Sequence, residues 1–155
     1  MIDALYQKSI LKQAALAVGH GALENAILHY TLHNPLCGDR ITVYLNAEQD
    51  IIHDFRHETR ACVLCQASAS LLGQHLAGEP SARLREVCAI LMAGLEENTL
   101  DSVSWPAEKW RDFSMFAPVA PHKNRHTCVT LPLQAILKAL DSTSLAARKA
   151  RETTG

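Results

Sequence analysis

Residues 40–58 read RITVYLNAEQDIIHDFRHE, and this stretch carries the clearest structural signal of the chain. In its first half Ile41, Val43 and Leu45 alternate with polar or amphipathic residues, and a second apolar run follows the polar turn at residues 47–50. Alternation with a period of two is typical of half-buried strands. Two such runs across a short turn predict an antiparallel hairpin.

The segments around the hairpin have mostly helical spacing. Apolar residues predict helices over 3–18, 64–77 and 82–96 (with Ser81 as N-cap), and a last helix that starts near Thr130 with Pro132 in its first turn. Residues 22–36 fit either a short helix or an extended lead-in, and residues 98–127 indicate an irregular excursion with one short helix around 108–113. We expect one α+β domain over residues 1–155, a small antiparallel sheet packed on several helices, with a frayed tail from about residue 142.

Charge and hydropathy exclude several classes of function. The 155 residues include 15 Lys and Arg against 16 Asp and Glu, without the clustered positive charge that a nucleic-acid binder needs. No apolar run approaches the roughly 20 residues that span a bilayer. The N-terminus has no basic and then apolar signal pattern, so a cytoplasmic location is expected.

The cysteines are the candidate functional residues. Their number, five, is odd, and thiols without a secretory signal are expected to stay reduced and to serve metal or redox chemistry. Cys37 lies in a turn beside a glycine, with Asp39 two residues on; Cys62 lies where the hairpin gives way to a helix; Cys128 just precedes the predicted last helix. Spacing alone leaves open whether the three thiols share a site.

The remaining candidates have structural explanations. Cys65 completes a C-x-x-C spacing without the βαβ unit of a redox pair, and Cys88 lies on the apolar face of a helix, which indicates a core residue. His53 and His57, four apart on a predicted strand, would lie about 13 Å from one another, as surface or sheet-face residues. His126 is a candidate only because it lies two residues from Cys128.

Three motifs give the chain a family resemblance over about residues 30–140. Residues 34–40, NPLCGDR, resemble the N-P-x-C-G-D signature of the IscU/SufU family, which shares its fold with the N-terminal domain of NifU. Residues 61–70, ACVLCQASAS, resemble the second motif, and residues 125–131, RHTCVTL, resemble the third. The motifs occur in the family's order. The resemblance implies a single SufE/NifU-like α+β domain.

This resemblance also implies a function in iron–sulfur cluster assembly. Members accept sulfur from a cysteine desulfurase, and IscU-type scaffolds build a labile [2Fe–2S] cluster that they pass to recipient apo-proteins. On this interpretation Cys37, Cys62 and Cys128 are ligands, Asp39 is a fourth ligand or controls lability, and Cys37 is the sulfur acceptor. A scaffold or carrier is favoured over an enzyme.

The motif spacing is closer to the SufU type, whose members bind zinc through the same residues and act as sulfurtransferases. Cys62 and Cys128 are 66 positions apart, a long spacing, and Arg125 resembles a SufU-type arginine. Thr127 stands where IscU-type scaffolds have a histidine, and their Leu-Pro-Pro-Val-Lys motif is absent from the sequence. The alternative is therefore a zinc-dependent sulfurtransferase that accepts persulfide sulfur on Cys37 and relays it to other iron–sulfur assembly proteins. Cys65, Arg125 and His126 are accessory candidates.

Overall fold

The predicted hairpin forms the second and third strands of a three-stranded antiparallel sheet. The computed structural model describes residues 7–35 and 38–154, with side chains described as far as residue 142. The elements in chain order are α1 (Lys8–Leu16), β1 (Leu28–His33), β2 (Arg40–Glu48), β3 (Ile51–Arg60), α2 (Val63–His75), α3 (Ser81–Glu97), a long 3-10 segment (Glu108–Val119), a short 3-10 turn (Lys123–Arg125) and α4 (His126–Thr154). The expected α+β class is confirmed.

Strand β1 resolves the ambiguity of residues 22–36 in favour of extended structure. It pairs with β2 so that Leu28 lies opposite Leu45 and His33 lies opposite Arg40. Its residues alternate between half-buried and exposed, as expected for a strand with one face against the core. The sheet order is β1-β2-β3, so the predicted hairpin supplies the central strand.

The helices cover one face of the sheet. Helix α4 packs against β1 and β2, helix α2 packs against β3, and α1 packs on α2. The covered face carries Ile41, Val43 and Leu45, all fully buried. Residues 3–6 of the predicted first helix lie outside the described residues. Within the described part of the chain, no helix is both long and apolar enough to cross a membrane.

The long 3-10 segment replaces the short helix expected around residues 108–113. Its four buried side chains, Trp110, Phe113, Phe116 and Val119, recur every three residues, and this is the repeat of a 3-10 helix. The Trp110 and Phe113 rings stack with centroids 6.2 Å apart. The excursion is therefore an aromatic part of the core, although its sequence lacks the 3.6-residue period of an α-helix.

Helix α4 begins at His126, earlier than the predicted start near Thr130. Pro132 consequently lies inside the helix instead of in its first turn, and it has no N–H to offer the carbonyl of Cys128 four residues before it. Cys128 belongs to the first turn of α4 and does not precede the helix. The backbone continues as helix to Thr154, and the fraying expected from about residue 142 stays a prediction.

Two smaller expectations are wrong. Pro80, and not Ser81, is the N-cap of α3, since Ser81 is already the first helical residue. His57 faces the interior and is only 2% exposed, whereas His53 is exposed as expected. The buried ring has hydrogen-bond partners for both nitrogens, the Thr59 hydroxyl at 2.8 Å and the Val18 carbonyl at 2.9 Å.

A close backbone approach fixes α1 against α2 at Gly73. A Cβ atom at this position would overlap the carbonyl of Val18, which cannot move without displacing the turn after α1. We expect Gly73→Ala to lower the free energy of unfolding by about 3 kcal/mol, the upper range for overpacking. Chemical denaturation measures this change.

Gly94→Ala is the matched control within another helix. There the new Cβ would lie 2.6 Å from the tip of the Leu100 side chain, which can rotate away, and alanine favours the helix. The control should lose about 1 kcal/mol or less. Equal stability of the two variants would contradict the close approach at Gly73.

Candidate metal centre

The register between β2 and β3 brings two of the sequence motifs together. Arg40 lies directly opposite Arg60. Asp39, which immediately precedes Arg40, and Cys62, which follows Arg60 by two residues, therefore meet at the same end of the sheet. The Cys62 backbone N–H donates a hydrogen bond to Asp39 Oδ1 at 3.1 Å. This bond joins the start of β2 to the start of α2.

Asp39 has a second oxygen that the protein leaves available. The residue is only 5% exposed, and its Oδ2 is buried without a hydrogen-bond partner among the described residues. A buried carboxylate oxygen without a partner is costly unless a proton, a water or a cation satisfies it. This atom therefore fits a metal ligand.

Cys62 is the N-cap residue of α2, as its place at the end of the hairpin predicts. Its backbone is extended, with φ −66° and ψ 167°, and its side chain is half-buried. The backbone amides of Cys65 and Leu64, in the first turn of the helix, favour a negative charge on the sulfur. The helix terminus thus stabilises a thiolate.

Cys128 reaches the site from the first turn of α4 and is fully buried. The Ser68 hydroxyl of α2 donates a hydrogen bond to the carbonyl of Val129 at 2.6 Å and so holds the two helices together beside the thiols. The ligand atoms of Asp39, Cys62 and Cys128 all lie within 4.8 Å of one another. Among the side chains that the structure describes, no other three His, Cys, Asp or Glu ligands converge in this way.

These three side chains fit a metal ion. Ligands of a tetrahedral zinc at about 2.3 Å lie about 3.8 Å from one another, so closure around an ion needs movements of about 1 Å at most. Two sulfurs and one carboxylate oxygen suit zinc and iron better than magnesium or calcium, which prefer oxygen ligands only. The arrangement can hold an ion or sulfur, and a fourth ligand is needed to complete it.

The pKa of the Cys62 thiol is lowered to about 7, which is the net result of influences that act in opposite directions. The largest is the hydrogen bond from Cys128, which favours the thiolate, and the backbone amides of Cys65 and Leu64 act in the same direction. Burial and the negative charge of Asp39 raise the pKa. Close to neutral pH the sulfur is therefore ready to bind a metal without a large cost of deprotonation.

Cys37, the fourth predicted ligand, lies outside the described residues. Two hydrogen bonds join the described residues on either side of it: the Gly38 N–H donates to the Asn34 carbonyl at 3.0 Å, and the Asn34 N–H donates to the Asp39 carbonyl at 2.8 Å. Gly38 has φ +73°, a conformation that suits glycine, and no atom of a described residue lies within 4 Å of the place that a Cβ would take. Its role as ligand and sulfur acceptor stays a prediction.

The accessory candidates are not among the three converging ligands. Cys65 is fully buried in α2 and contributes its backbone amide, while Arg125 ends the short 3-10 turn before α4. His126 is directed elsewhere, with Nε2 2.8 Å from the carbonyl of Ala120 and Nδ1 4.0 Å from a Glu96 oxygen. Cys88 is in the core as expected, 4% exposed.

Two residues that support the candidate ligands are absent from the set predicted from the sequence. Ser68 joins α2 to α4, and the Gln66 side chain donates to the carbonyl of Ala61 at 2.9 Å, beside Cys62. The small residues at the start of α2 were the available signal, because a helix rich in Ala and Ser can approach its neighbour closely.

A family of known proteins matches most of the chain. The model of the family described as "NifU-like N terminal domain" matches residues 5–140. This range contains all three sequence motifs and the three converging ligands.

Two curated relatives resemble the chain over most of its length. The iron–sulfur cluster assembly scaffold protein IscU of Thermotoga maritima is 27% identical over 140 residues, covering 90% of this chain and 95% of that protein. The zinc-dependent sulfurtransferase SufU of Bacillus subtilis is 28% identical over 142 residues, with 90% and 91% coverage.

Solved structures share the fold. The N-terminal NifU-like protein of Brucella abortus superposes with a TM-score of 0.80 at 31% identity, over 90% of this chain and 94% of that chain. The SUF-system scaffold protein SufU of Fervidobacterium islandicum, at 24% identity, has a TM-score of 0.71 over 88% of this chain and 96% of its own, a likeness of fold alone.

The electrostatics of Cys62 predict how its reactivity depends on pH. Iodoacetamide labelling of Cys62, followed by peptide mass spectrometry in metal-free protein, should reach half its maximal rate near pH 7. Cys128→Ala should move this midpoint to higher pH, because the main hydrogen bond that favours the thiolate is lost. Asp39→Asn should move it to lower pH, because the negative charge is removed while an oxygen remains for the Cys62 amide.

Cys88 is the internal reference in the same samples. Burial raises the pKa of its thiol, so its labelling should begin at a higher pH than that of Cys62 and should not respond to either substitution. A Cys62 midpoint that is unchanged in Cys128→Ala would contradict the proposed hydrogen bond between the two thiols.

Proposed function

This chain belongs to the NifU-like N-terminal domain family, and we propose that it is an iron–sulfur cluster assembly scaffold. The family resemblance drawn from the three motifs is thereby confirmed. In the proposed function the chain receives sulfur from a cysteine desulfurase, builds a [2Fe–2S] cluster and delivers it to apo-proteins. The observation that carries the proposal is the convergence of Asp39, Cys62 and Cys128 within 4.8 Å.

The proposed set of ligands suits a cluster that is bound transiently and then transferred to another protein. Fe–S clusters are normally held by four thiolates. Here three cysteines, with Cys37 included, would be joined by the carboxylate of Asp39, whose oxygen is a harder and weaker ligand for the cluster. One weak ligand among four gives an exit route, as transfer to a recipient requires.

Cys37 is the proposed acceptor of sulfur. Adjacent Cα atoms are about 3.8 Å apart, so the Cα atom of Cys37, two positions before Asp39, lies within about 8 Å of the Asp39 Cα atom. The exposed glycine beside Cys37 leaves room for a partner's sulfur. The thiolate attacks the outer sulfur of the desulfurase persulfide, the S–S bond breaks, the desulfurase thiolate leaves, and Cys37 becomes a persulfide without net oxidation.

Cluster assembly then requires iron and electrons. Two persulfide sulfurs take up four electrons when they become the two sulfides of a [2Fe–2S] cluster. Two electrons come from the two ferrous ions, which become ferric, and two come from a dithiol reductant. The role of the protein is to keep sulfur and iron within one ligand set and away from solvent thiols.

The test is anaerobic reconstitution with ferrous iron, cysteine, a cysteine desulfurase and dithiothreitol. Wild-type protein should gain iron and acid-labile sulfide in near-equal amounts, with visible absorption. Cys37→Ser should reduce both to background, because the acceptor and one ligand are lost. The measurements are metal analysis, sulfide analysis and the absorption spectrum.

Cys88→Ser is the matched control, since this thiol lies in the core on α3. It should retain both the iron and the sulfide. Equal loss in the two variants would contradict the division between site and core cysteines. A wild-type protein that gains no chromophore under these conditions would contradict the scaffold function itself.

Asp39→Ala should give a cluster that lasts several-fold longer in the presence of an added apo-ferredoxin. The variant lacks the weak ligand, and the dithiol in solution can take its place with a sulfur. The decay of the visible absorption measures this lifetime, and the metal-free variant's melting temperature controls for folding. Faster decay in Asp39→Ala would contradict the role of the carboxylate in cluster release.

A zinc-dependent sulfurtransferase is the second candidate, favoured by two observations. The chain is 28% identical to a protein named for that activity, and Thr127 replaces the histidine of IscU-type scaffolds. Asp39, Cys37, Cys62 and Cys128 would hold one zinc ion, which supplies positive charge that keeps the thiols deprotonated. In the same reconstitution this candidate predicts one bound zinc, no chromophore and a persulfide on Cys37.

A further inference from the structure

The solvent face of the sheet carries a row of basic side chains at the end that adjoins the metal centre. His33, Arg40 and Arg60 lie directly opposite one another across β1, β2 and β3, and all three are exposed. Neighbouring strands are about 4.8 Å apart, so the row spans about 10 Å. We call these three residues the cationic row.

The two arginines of this row are not neutralised by the described part of the protein. Neither Arg40 nor Arg60 forms an ion pair with any acidic side chain that the structure describes. The nearest carboxylate along the ladder is Glu58, opposite Thr42, and it accepts a hydrogen bond from the Tyr44 hydroxyl. Like charges directly opposite one another destabilise a sheet. The two opposed arginines therefore lower the stability of the sheet, and no carboxylate among the described residues compensates for this cost.

The row has a fixed place relative to the ligands. Asp39 immediately precedes Arg40 in the chain, and Cys62 follows Arg60 by two residues. The opposite end of the sheet carries exposed carboxylates, namely Glu48, Asp50 and Asp54. The sheet is thus polarised, with its positive end at the metal centre, although the whole chain has a formal net charge of −1.

We infer that the cationic row binds an acidic segment of the protein that delivers sulfur to the metal centre; this rests on the proposed function. An acidic surface is attracted to the positive end of the sheet and repelled by the negative end, so it approaches with its reactive sulfur beside the ligands. Exposed charges of this kind act mainly on the rate of encounter and on orientation, and salt weakens them.

The dimensions of the row favour a protein segment over a nucleic acid. Two arginines and one histidine over about 10 Å match a few acidic residues, whereas a nucleic-acid backbone needs a longer positively charged track. The acidic end of the same sheet would repel such a backbone.

The test is the double charge reversal Arg40→Glu with Arg60→Glu, measured by sulfur transfer from a persulfide-loaded cysteine desulfurase. The rate is followed against desulfurase concentration in about 20 mM and about 300 mM NaCl. In low salt we expect the half-saturating concentration to rise about tenfold or more, while the maximal rate stays within about twofold of wild type. In high salt the difference should become small.

The matched control is Lys12→Glu with Lys138→Glu, which changes the net charge equally. Both lysines are exposed on helices, and neither forms an ion pair with a described residue. This control should keep the wild-type half-saturating concentration. An equal rise in the control, or no rise in the Arg40/Arg60 variant, would overturn the inference.

Arg60→Gln separates binding from folding. Because it removes one of two opposed charges, its melting temperature should equal or exceed that of wild type, while its half-saturating concentration in low salt still rises several-fold. A lower melting temperature with unchanged transfer would show a structural role and overturn the inference.

Direct binding to the desulfurase distinguishes this inference from the proposed function. A salt-sensitive complex that the Arg40/Arg60 variant weakens, but that transfers no sulfur in wild type, would contradict the proposed function and leave the acidic partner supported. No complex at all would contradict both. Binding of random-sequence DNA that is lost in this variant, with sulfur transfer unchanged, would assign the row to nucleic acid instead.

Discussion

The hydrogen bond between Asp39 and the backbone amide of Cys62 joins the two parts of the chain on which the metal centre depends. It connects the start of β2 to the N-terminus of α2 at 3.1 Å, and it uses only one oxygen of the carboxylate. The other oxygen stays buried without a partner among the described residues, where it is costly unless a proton, a water or a cation satisfies it. The same bond therefore positions Cys62 and orients the carboxylate of Asp39.

The thiols are held in a balance of opposing electrostatic influences. The helix terminus and Cys128 favour a thiolate on Cys62, whereas burial and Asp39 oppose it, and the resulting pKa of about 7 lies near neutrality. Because the thiolate forms close to neutral pH, it can bind a metal with little cost of deprotonation. The negative charge of Asp39 limits how far the thiolate is stabilised. This balance suits a site that loads and releases its cargo.

Much of the fold could be predicted from local periodicity. The period of two predicted the hairpin. The predicted boundary between the hairpin and the next helix placed Cys62 correctly at the start of that helix. Strand β1 was ambiguous because it has only six residues and follows Ala22, Leu23 and Glu24, which are good helix formers. The start of α4 was misjudged because Pro132 normally marks a first turn, and the buried position of His57 depends on tertiary hydrogen bonds.

The proposed site requires Asp39, Cys62 and Cys128 to bind one metal ion together with Cys37. Zinc K-edge X-ray absorption of the zinc-loaded protein counts the sulfur and oxygen atoms bound to that ion. We expect three sulfur ligands at about 2.3 Å and one oxygen at about 2.0 Å, with one sulfur fewer in Cys62→Ser and in Cys128→Ser. A shell of nitrogen and oxygen ligands only, or a sulfur count that neither substitution changes, would show that these cysteines do not bind the metal.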